Sequence, residues 1–205
     1  VATTITITDP SSSTFEIDAV ATLCEGDDLT LSVSRTAGIA TMVSYNWTGP
    51  NGFTSTAANP ATISNVGTAD AGTYTLVATT SEGCTITDTE TVTINTQPAT
   101  PSITATNLSI CSTENIEISA TAGFATYEWL APNGATITTV GAGAEDLTVV
   151  SGTTNHVAGD WQVRVTDANG CVSDYSVTLP IDINPAPEPV INTINPVCIG
   201  GTLSI

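Results

Sequence analysis

Residues 70–84 read DAGTYTLVATTSEGC, and residues 157–171 read VAGDWQVRVTDANGC. The two stretches share an alternation of apolar and polar positions, a glycine two places before an aromatic, and a Gly-Cys ending. Tyr74 and Trp161 lie 87 residues apart, and so do Cys84 and Cys171. The other cysteines keep the same spacing: Cys24, Cys111 and Cys198 follow one another at intervals of 87, and Cys24–Cys84 and Cys111–Cys171 are each 60 apart. A period of this kind is the sequence signature of a repeat. The flanking residues agree with it. YNWTGPNG (45–52) matches YEWLAPNG (127–134), and ATLCEGDDLTLSVS (21–34) lines up with LSICSTENIEISAT (108–121) and NPVCIGGTLSI (195–205). Loop lengths differ around the shared Trp, as expected of surface connections between fixed strands.

The spacing predicts a last strand of a preceding repeat at 1–9, whole repeats at 10–97 and 98–184, and the first strands of a following repeat at 185–205. Cys198 is then unpaired within these residues. The linkers NTQPATP (95–101) and NPAPEP (184–189) are proline-rich, which favours extended, semi-rigid joints. An elongated rod of repeats is the expected architecture.

Within each repeat, apolar residues recur with period two: Leu29, Leu31, Val33; Tyr74, Leu76, Ala78; Ile116, Ile118, Ala120; Trp161, Val163, Val165; Val177, Leu179. That is the pattern of strands with one buried face. β-Branched Thr fills many of the intervening positions, and Gly, Pro, Asn and Asp mark the turns. An all-β fold follows, an antiparallel sandwich with Trp47, Tyr74, Trp129 and Trp161 in its cores.

Composition narrows the function. The 205 residues carry two Lys or Arg against twenty Asp or Glu, a formal net charge of -18. Such a chain is repelled by phosphate backbones and anionic membranes, which argues against nucleic-acid partners and membrane insertion. Catalysis has little support: the single histidine, His156, reads as a loop residue, and Glu128 with Glu145–Asp146 makes a poor acid/base pair because Asn46 replaces Glu128 in the first repeat. The reading is of a protein that is not an enzyme and holds no cofactor. Asp27–Asp28 and Glu188 make calcium at the repeat junctions the one cation worth testing, against a plain acidic surface. Phe53 is expected to be exposed, and Asn107 is the more plausible of two N-glycosylation patterns.

The D-x-G-x-Y of Asp70, Gly72 and Tyr74 resembles the sixth-strand motif of immunoglobulin domains, and Trp47 and Trp129 stand where their third-strand Trp belongs. The cysteines depart from that family, whose sixth-strand cysteine is replaced here by Leu76 and Val163. A cysteine before the second strand, Y-x-W in the third and N-G-C at the last hairpin resemble the Ig-like and PKD-like repeats of giant cell-surface adhesins of Bacteroidota, including the gliding-motility (SprB-like) adhesins exported by the type IX secretion system. The resemblance implies an extracellular, bacterial cell-surface location and a stalk or filament whose first partners are neighbouring repeats of the same chain. Glycans or other cell-surface proteins are further partners it allows. One cysteine pair per repeat suggests bridges Cys24–Cys84 and Cys111–Cys171, each stapling one end of a sandwich in an oxidising compartment. Two rival readings stand beside the stalk: a glycan- or protein-binding module, and a fibre subunit that lends strand 1–9 to the next chain.

Overall fold

The computed structural model describes residues 14–37 and 41–189. The expectations placed on strand 1–9 and on Cys198 lie outside them. The described residues form sixteen strands. β1 (Thr14–Ile17), β2 (Leu23–Cys24), β3 (Val33–Ala37), β4 (Met42–Thr48), β5 (Thr54–Ser55), β6 (Gly72–Thr80), β7 (Thr85–Val92) and β8 (Ile94–Asn95) form the first half of the chain. β9 (Ile103–Ala105), β10 (Ser109–Cys111), β11 (Ile116–Ala120), β12 (Thr126–Leu130), β13 (Thr136–Val140), β14 (Asp146–Val149), β15 (Gly159–Thr166) and β16 (Leu179–Asn184) form the second.

In the second half a five-stranded sheet, ordered β10-β16-β15-β12-β13, faces a three-stranded sheet ordered β14-β11-β9. The first half repeats the plan in shorter pieces: β5-β4-β6-β7, β2 against β8, β1 against β3, and a bridge from Leu29 to Ile63. Among the described residues, all strand pairings but two are antiparallel. β2 runs parallel to β8, and β10 runs parallel to β16. Two facing sheets, with a short early strand crossing over to pair in parallel with the last strand, make an immunoglobulin-like sandwich.

Each half buries its own apolar cluster. Ile17, Leu29, Leu31, Trp47, Val66, Tyr74 and Leu76 pack in the first. Ile116, Ile118, Tyr127, Trp129, Trp161, Val163 and Val165 belong to the second. Trp47, Tyr74, Trp129 and Trp161 are wholly excluded from solvent. Burying an aromatic of this size removes so much apolar area that these four dominate the cohesion of the two cores.

The shared motifs have a steric reason. The 3-10 turn Pro50–Gly52 lays Pro50 over Gly72, where a Cβ would stand 3.0 Å from the proline Cγ; Pro132 lies over Gly159, where it would stand 2.8 Å from the proline Cβ. Both glycines have positive φ, 134° and 128°, which side chains rarely tolerate. The P-N-G turn and the glycine before the aromatic therefore interlock. Tyr74 then donates its hydroxyl to the carbonyl of Asp70 at 2.9 Å, the tyrosine corner of immunoglobulin-type folds.

Trp161 replaces that tyrosine in the second half, and its buried Nε1 has no hydrogen-bond partner. Trp129 Nε1, in contrast, donates to Thr139 Oγ1 at 3.1 Å. Losing a buried hydrogen bond costs about 1 kcal/mol, whereas removing an orphaned N–H relieves a penalty. Trp161→Phe is therefore expected to destabilise less than Trp129→Phe, by about 1 kcal/mol in denaturant unfolding. Equal losses would contradict this.

Two sequence expectations fail here. Val177 is 77% exposed rather than part of a buried face. The last ladder of the second half is irregular between Cys171 and Leu179, and the buried hydroxyls of Ser173 and Ser176 accept from Val165 N and Val163 N in place of strand carbonyls. Phe53 is half-buried, its ring edge-on to Tyr74 at 5.3 Å, because the turn it closes folds back onto the first core.

Candidate functional site

The cysteines do not pair as expected. Cys24 is bonded to Cys171, across 147 residues and between the two halves, with Cα atoms 5.6 Å apart. Cys84 and Cys111 are free and exposed. The bridges Cys24–Cys84 and Cys111–Cys171 are therefore corrected, and the reason lies in the register. Cys24 is opposite Asn95, at the far end of the last strand of its half. Cys84 precedes Thr85, where that strand region begins, opposite Thr79. Ten residues of extended chain separate the two levels, about 33 Å at ~3.3 Å per residue. A disulfide tolerates Cα separations up to about 7 Å. The sequence spacing says that Cys24 and Cys84 recur together, but the sandwich holds them at opposite ends.

What the first half offers at its exit end, the second half meets with its hairpin turn. Cys24 sits in a tight turn: its N–H donates to Asp27 Oδ2 at 2.8 Å, and its carbonyl accepts from Asp27 N at 3.1 Å. Cys171 sits in another: its N–H donates to Asp167 Oδ1 at 2.9 Å, and its carbonyl accepts from Asp167 N at 3.0 Å. Beside the bridge, Gln97 reaches both ways. Its N–H donates to Glu25 Oε2 at 3.2 Å, and its Nε2 donates to the Val172 carbonyl at 2.9 Å. The joint thus combines a covalent bond with a linker side chain that hydrogen-bonds the facing half.

Two of the three acids proposed for calcium hold backbone N–H groups instead. Asp27 caps the cysteine turn, Asp28 Oδ1 accepts from Asn65 N at 3.1 Å, and Glu188 is exposed on the second linker. Among the described residues, no cluster of three or more His, Cys, Asp or Glu stands ready to hold a metal. His156 Nε2 lies 2.7 Å from the Glu114 carbonyl, so it ties the loop before β15 to the turn after Cys111. Asn107 is exposed beside an open polar groove that Glu114 and Glu117 also line. Glu145 and Asp146 lie at the start of β14, where Ala120 N donates to the Glu145 carbonyl at 2.8 Å.

Glu128 belongs to a cluster that the sequence did not reveal. Its Oε1 pairs with Arg164 Nη2 at 2.8 Å and accepts from the Tyr175 hydroxyl at 2.5 Å, while the Arg164 guanidinium stands 4.9 Å over the Tyr175 ring. The hydrogen bond from Arg164, then that from Tyr175, hold the Glu128 carboxyl below its ordinary pKa. Burial, then the Glu128 hydrogen bond, push the Tyr175 hydroxyl up. A carboxyl with a lowered folded pKa binds protons less readily folded than unfolded. Its stabilising effect is therefore complete above the unfolded pKa and is lost as pH falls through the folded one. Glu128→Gln is expected to flatten the acid limb of the stability–pH curve of the second half and leave the curve near neutrality parallel to wild type. An unchanged acid limb would contradict the assignment.

Among the described residues no helix is long and apolar enough to cross a membrane. No curated protein sequence matches the chain. Among solved structures, murine CEACAM1b is 17% identical, over 84% of this chain and 100% of that one, with a TM-score of 0.44. The mouse coronavirus receptor-binding domain complexed with its murine receptor gives 16% identity, coverage of 83% and 100%, and a TM-score of 0.48. The N-terminal eight Ig domains of Down Syndrome Cell Adhesion Molecule give 19%, 83% and 24%, and 0.46. Residues 97–181, the whole of the second sandwich except the end of its last strand, match the PKD-like domain family.

Proposed function

We infer that the chain is a structural segment of an extracellular adhesin: a stalk built of Ig-like, PKD-like repeats at 10–97 and 98–184, with no catalytic role. The observation that carries this reading is the joint. Two sandwiches, each with its own core, are locked together by Cys24–Cys171 and by Gln97. Inter-domain contacts within a chain leave relative motion as the default. A covalent tie across the joint removes that freedom, and a stalk that must hold a distant tip away from a surface needs that stiffness. The disulfide also suits an oxidising, extracytoplasmic setting, and the PKD-like match supports a binding or structural module. The net charge of -18 keeps neighbouring stalks apart in solution. A bacterial surface filament, of the gliding or type IX-secreted kind, is the specific setting proposed.

The test is the distance distribution between spin labels on Thr73 and Asp160, one exposed strand residue in each half. A single narrow distribution that broadens on reduction supports the stalk. A distribution already broad in the oxidised protein overturns it. Scattering profiles that stay the same with and without chelator are expected, and a chelator-induced change would restore calcium to the joint.

A further inference from the structure

We propose that Cys84 and Cys111 are the two open ends of a staggered disulfide ladder. Each pairs with a further copy of this unit: Cys111 with the Cys84-type cysteine of the copy that follows, and Cys84 with the Cys111-type cysteine of the copy that precedes. The proposal rests on the stalk reading and goes beyond it, since it names the partner of two surface residues and the direction of joining.

The bonded site is duplicated within the chain. Cys24–Cys171 joins the first-position cysteine of one half to the second-position cysteine of the next. Cys111 stands in the second half where Cys24 stands in the first. Both end a short strand parallel to the last strand of their half, Cys24 opposite Asn95 and Cys111 opposite Asn184. In both, the residue after the cysteine donates its N–H to that asparagine's carbonyl, at 2.9 Å for Glu25 and 2.8 Å for Ser112. Both cysteines donate their N–H to an acid three residues on, Asp27 Oδ2 or Glu114 Oε2, each at 2.8 Å.

Cys84 copies Cys171 in the same way. Its N–H donates to Thr80 Oγ1 at 3.2 Å and its carbonyl accepts from Thr80 N at 2.8 Å, as Cys171 does with Asp167. So the structure holds one completed rung and the two half-rungs that flank it, each presented on the same backbone frame as the completed one. Both free thiols are exposed. Cys84 lies on the hairpin of the first half, at the end away from Cys24, and Cys111 at the exit of the second half, at the end away from Cys171. A bridge between Cys84 and Cys111 of one copy is thereby excluded.

Each rung forms by thiol–disulfide exchange with a disulfide oxidant such as oxidised glutathione. The Cys111 thiolate attacks a glutathione sulfur and expels the first glutathione thiolate. The Cys84 thiolate of the second copy then attacks the Cys111 sulfur of the mixed disulfide and releases the second. Two protein thiols give up two protons and two electrons, and the glutathione disulfide takes them up as two thiols.

The test uses two variants of the full chain, Cys84→Ser/Cys198→Ser and Cys111→Ser/Cys198→Ser, one of them isotopically heavy, mixed in equal amounts in a glutathione redox buffer. Random pairing puts half of the dimers in the mixed species. The ladder predicts that the mixed Cys111–Cys84 dimer exceeds the two homodimers together by several-fold. A mixed share of half or less, or no dimer at all, overturns the proposal. Peptide mapping of Cys24–Cys171 in the same samples separates the two readings. If that bridge is present and the mixed dimer is not favoured, the ladder alone fails. If that bridge is absent, the locked joint fails with it.

Discussion

Cys24→Ser is expected to unlock the joint between the two halves while leaving each sandwich folded. Cys24 is half-buried and lies outside the apolar cluster of its half, so its loss removes no core contact. The chain between Cys24 and Cys171 is 147 residues long, and closing a loop of that length reduces unfolded-state entropy by an amount worth about 5 kcal/mol in the chain-entropy model. In the oxidised wild type, unfolding of the two halves should be coupled. In the variant it should split into two transitions, and the solution scattering should broaden to that of two units on a linker. Cys171→Ser should unlock the joint in the same way, with an added local cost because that side chain is fully buried, and the double variant should open the joint no further than either single one, since all three remove one bond. A variant with a single sharp transition at the wild-type midpoint would contradict this.

Gly49→Val is expected to unfold the first half selectively. A Cβ at position 49 would stand 2.5 Å from Tyr74 Cδ1 and 2.7 Å from its Cε1. Tyr74 has nowhere to retreat: it is fully buried, its ring packs against Phe53, and its hydroxyl is tied to the Asp70 carbonyl. Overpacking of this kind costs about 3 kcal/mol, and the added branches of valine press on the same ring. Emission from Trp47 should report exposure at lower denaturant than in wild type, while Trp129 and Trp161, in the other core, keep their signal. Coincident loss of all three signals would show that the halves do not fold as separate cores.

The strands and their buried faces were legible because they rest on local physics. Period-two alternation marked Tyr74, Leu76 and Ala78, and Trp161, Val163 and Val165, all of them buried. The P-N-G and A-G-x-aromatic motifs recurred because Pro50 and Pro132 must lie on a residue without a Cβ. The joint was not legible for the opposite reason. Cysteine spacing reports that two residues recur together, and it is silent on which ends of a sandwich they occupy. The missing information was the parallel pairing of β2 with β8, which carries Cys24 to the exit end of its half. That pairing involves two residues on each strand, too few to leave a pattern. The Glu128–Arg164–Tyr175 cluster was hidden likewise. It draws on two strand-face positions, Glu128 and Arg164, and on Tyr175 in the irregular segment after Cys171, which come together only through the β12–β15 register and that segment's path. Asn46 and Asp88 occupy the corresponding places of Glu128 and Tyr175 in the first half, so the repeat gave no warning of it.

The most direct test of the account is a disulfide map of the oxidised protein, made by non-reducing digestion with an acid-specific protease and mass spectrometry of the linked peptides. The account predicts a peptide pair joining Cys24 to Cys171, with Cys84 and Cys111 free or joined to cysteines of other copies. Linked pairs Cys24–Cys84 and Cys111–Cys171 would contradict it, and with it the locked joint on which the stalk reading stands.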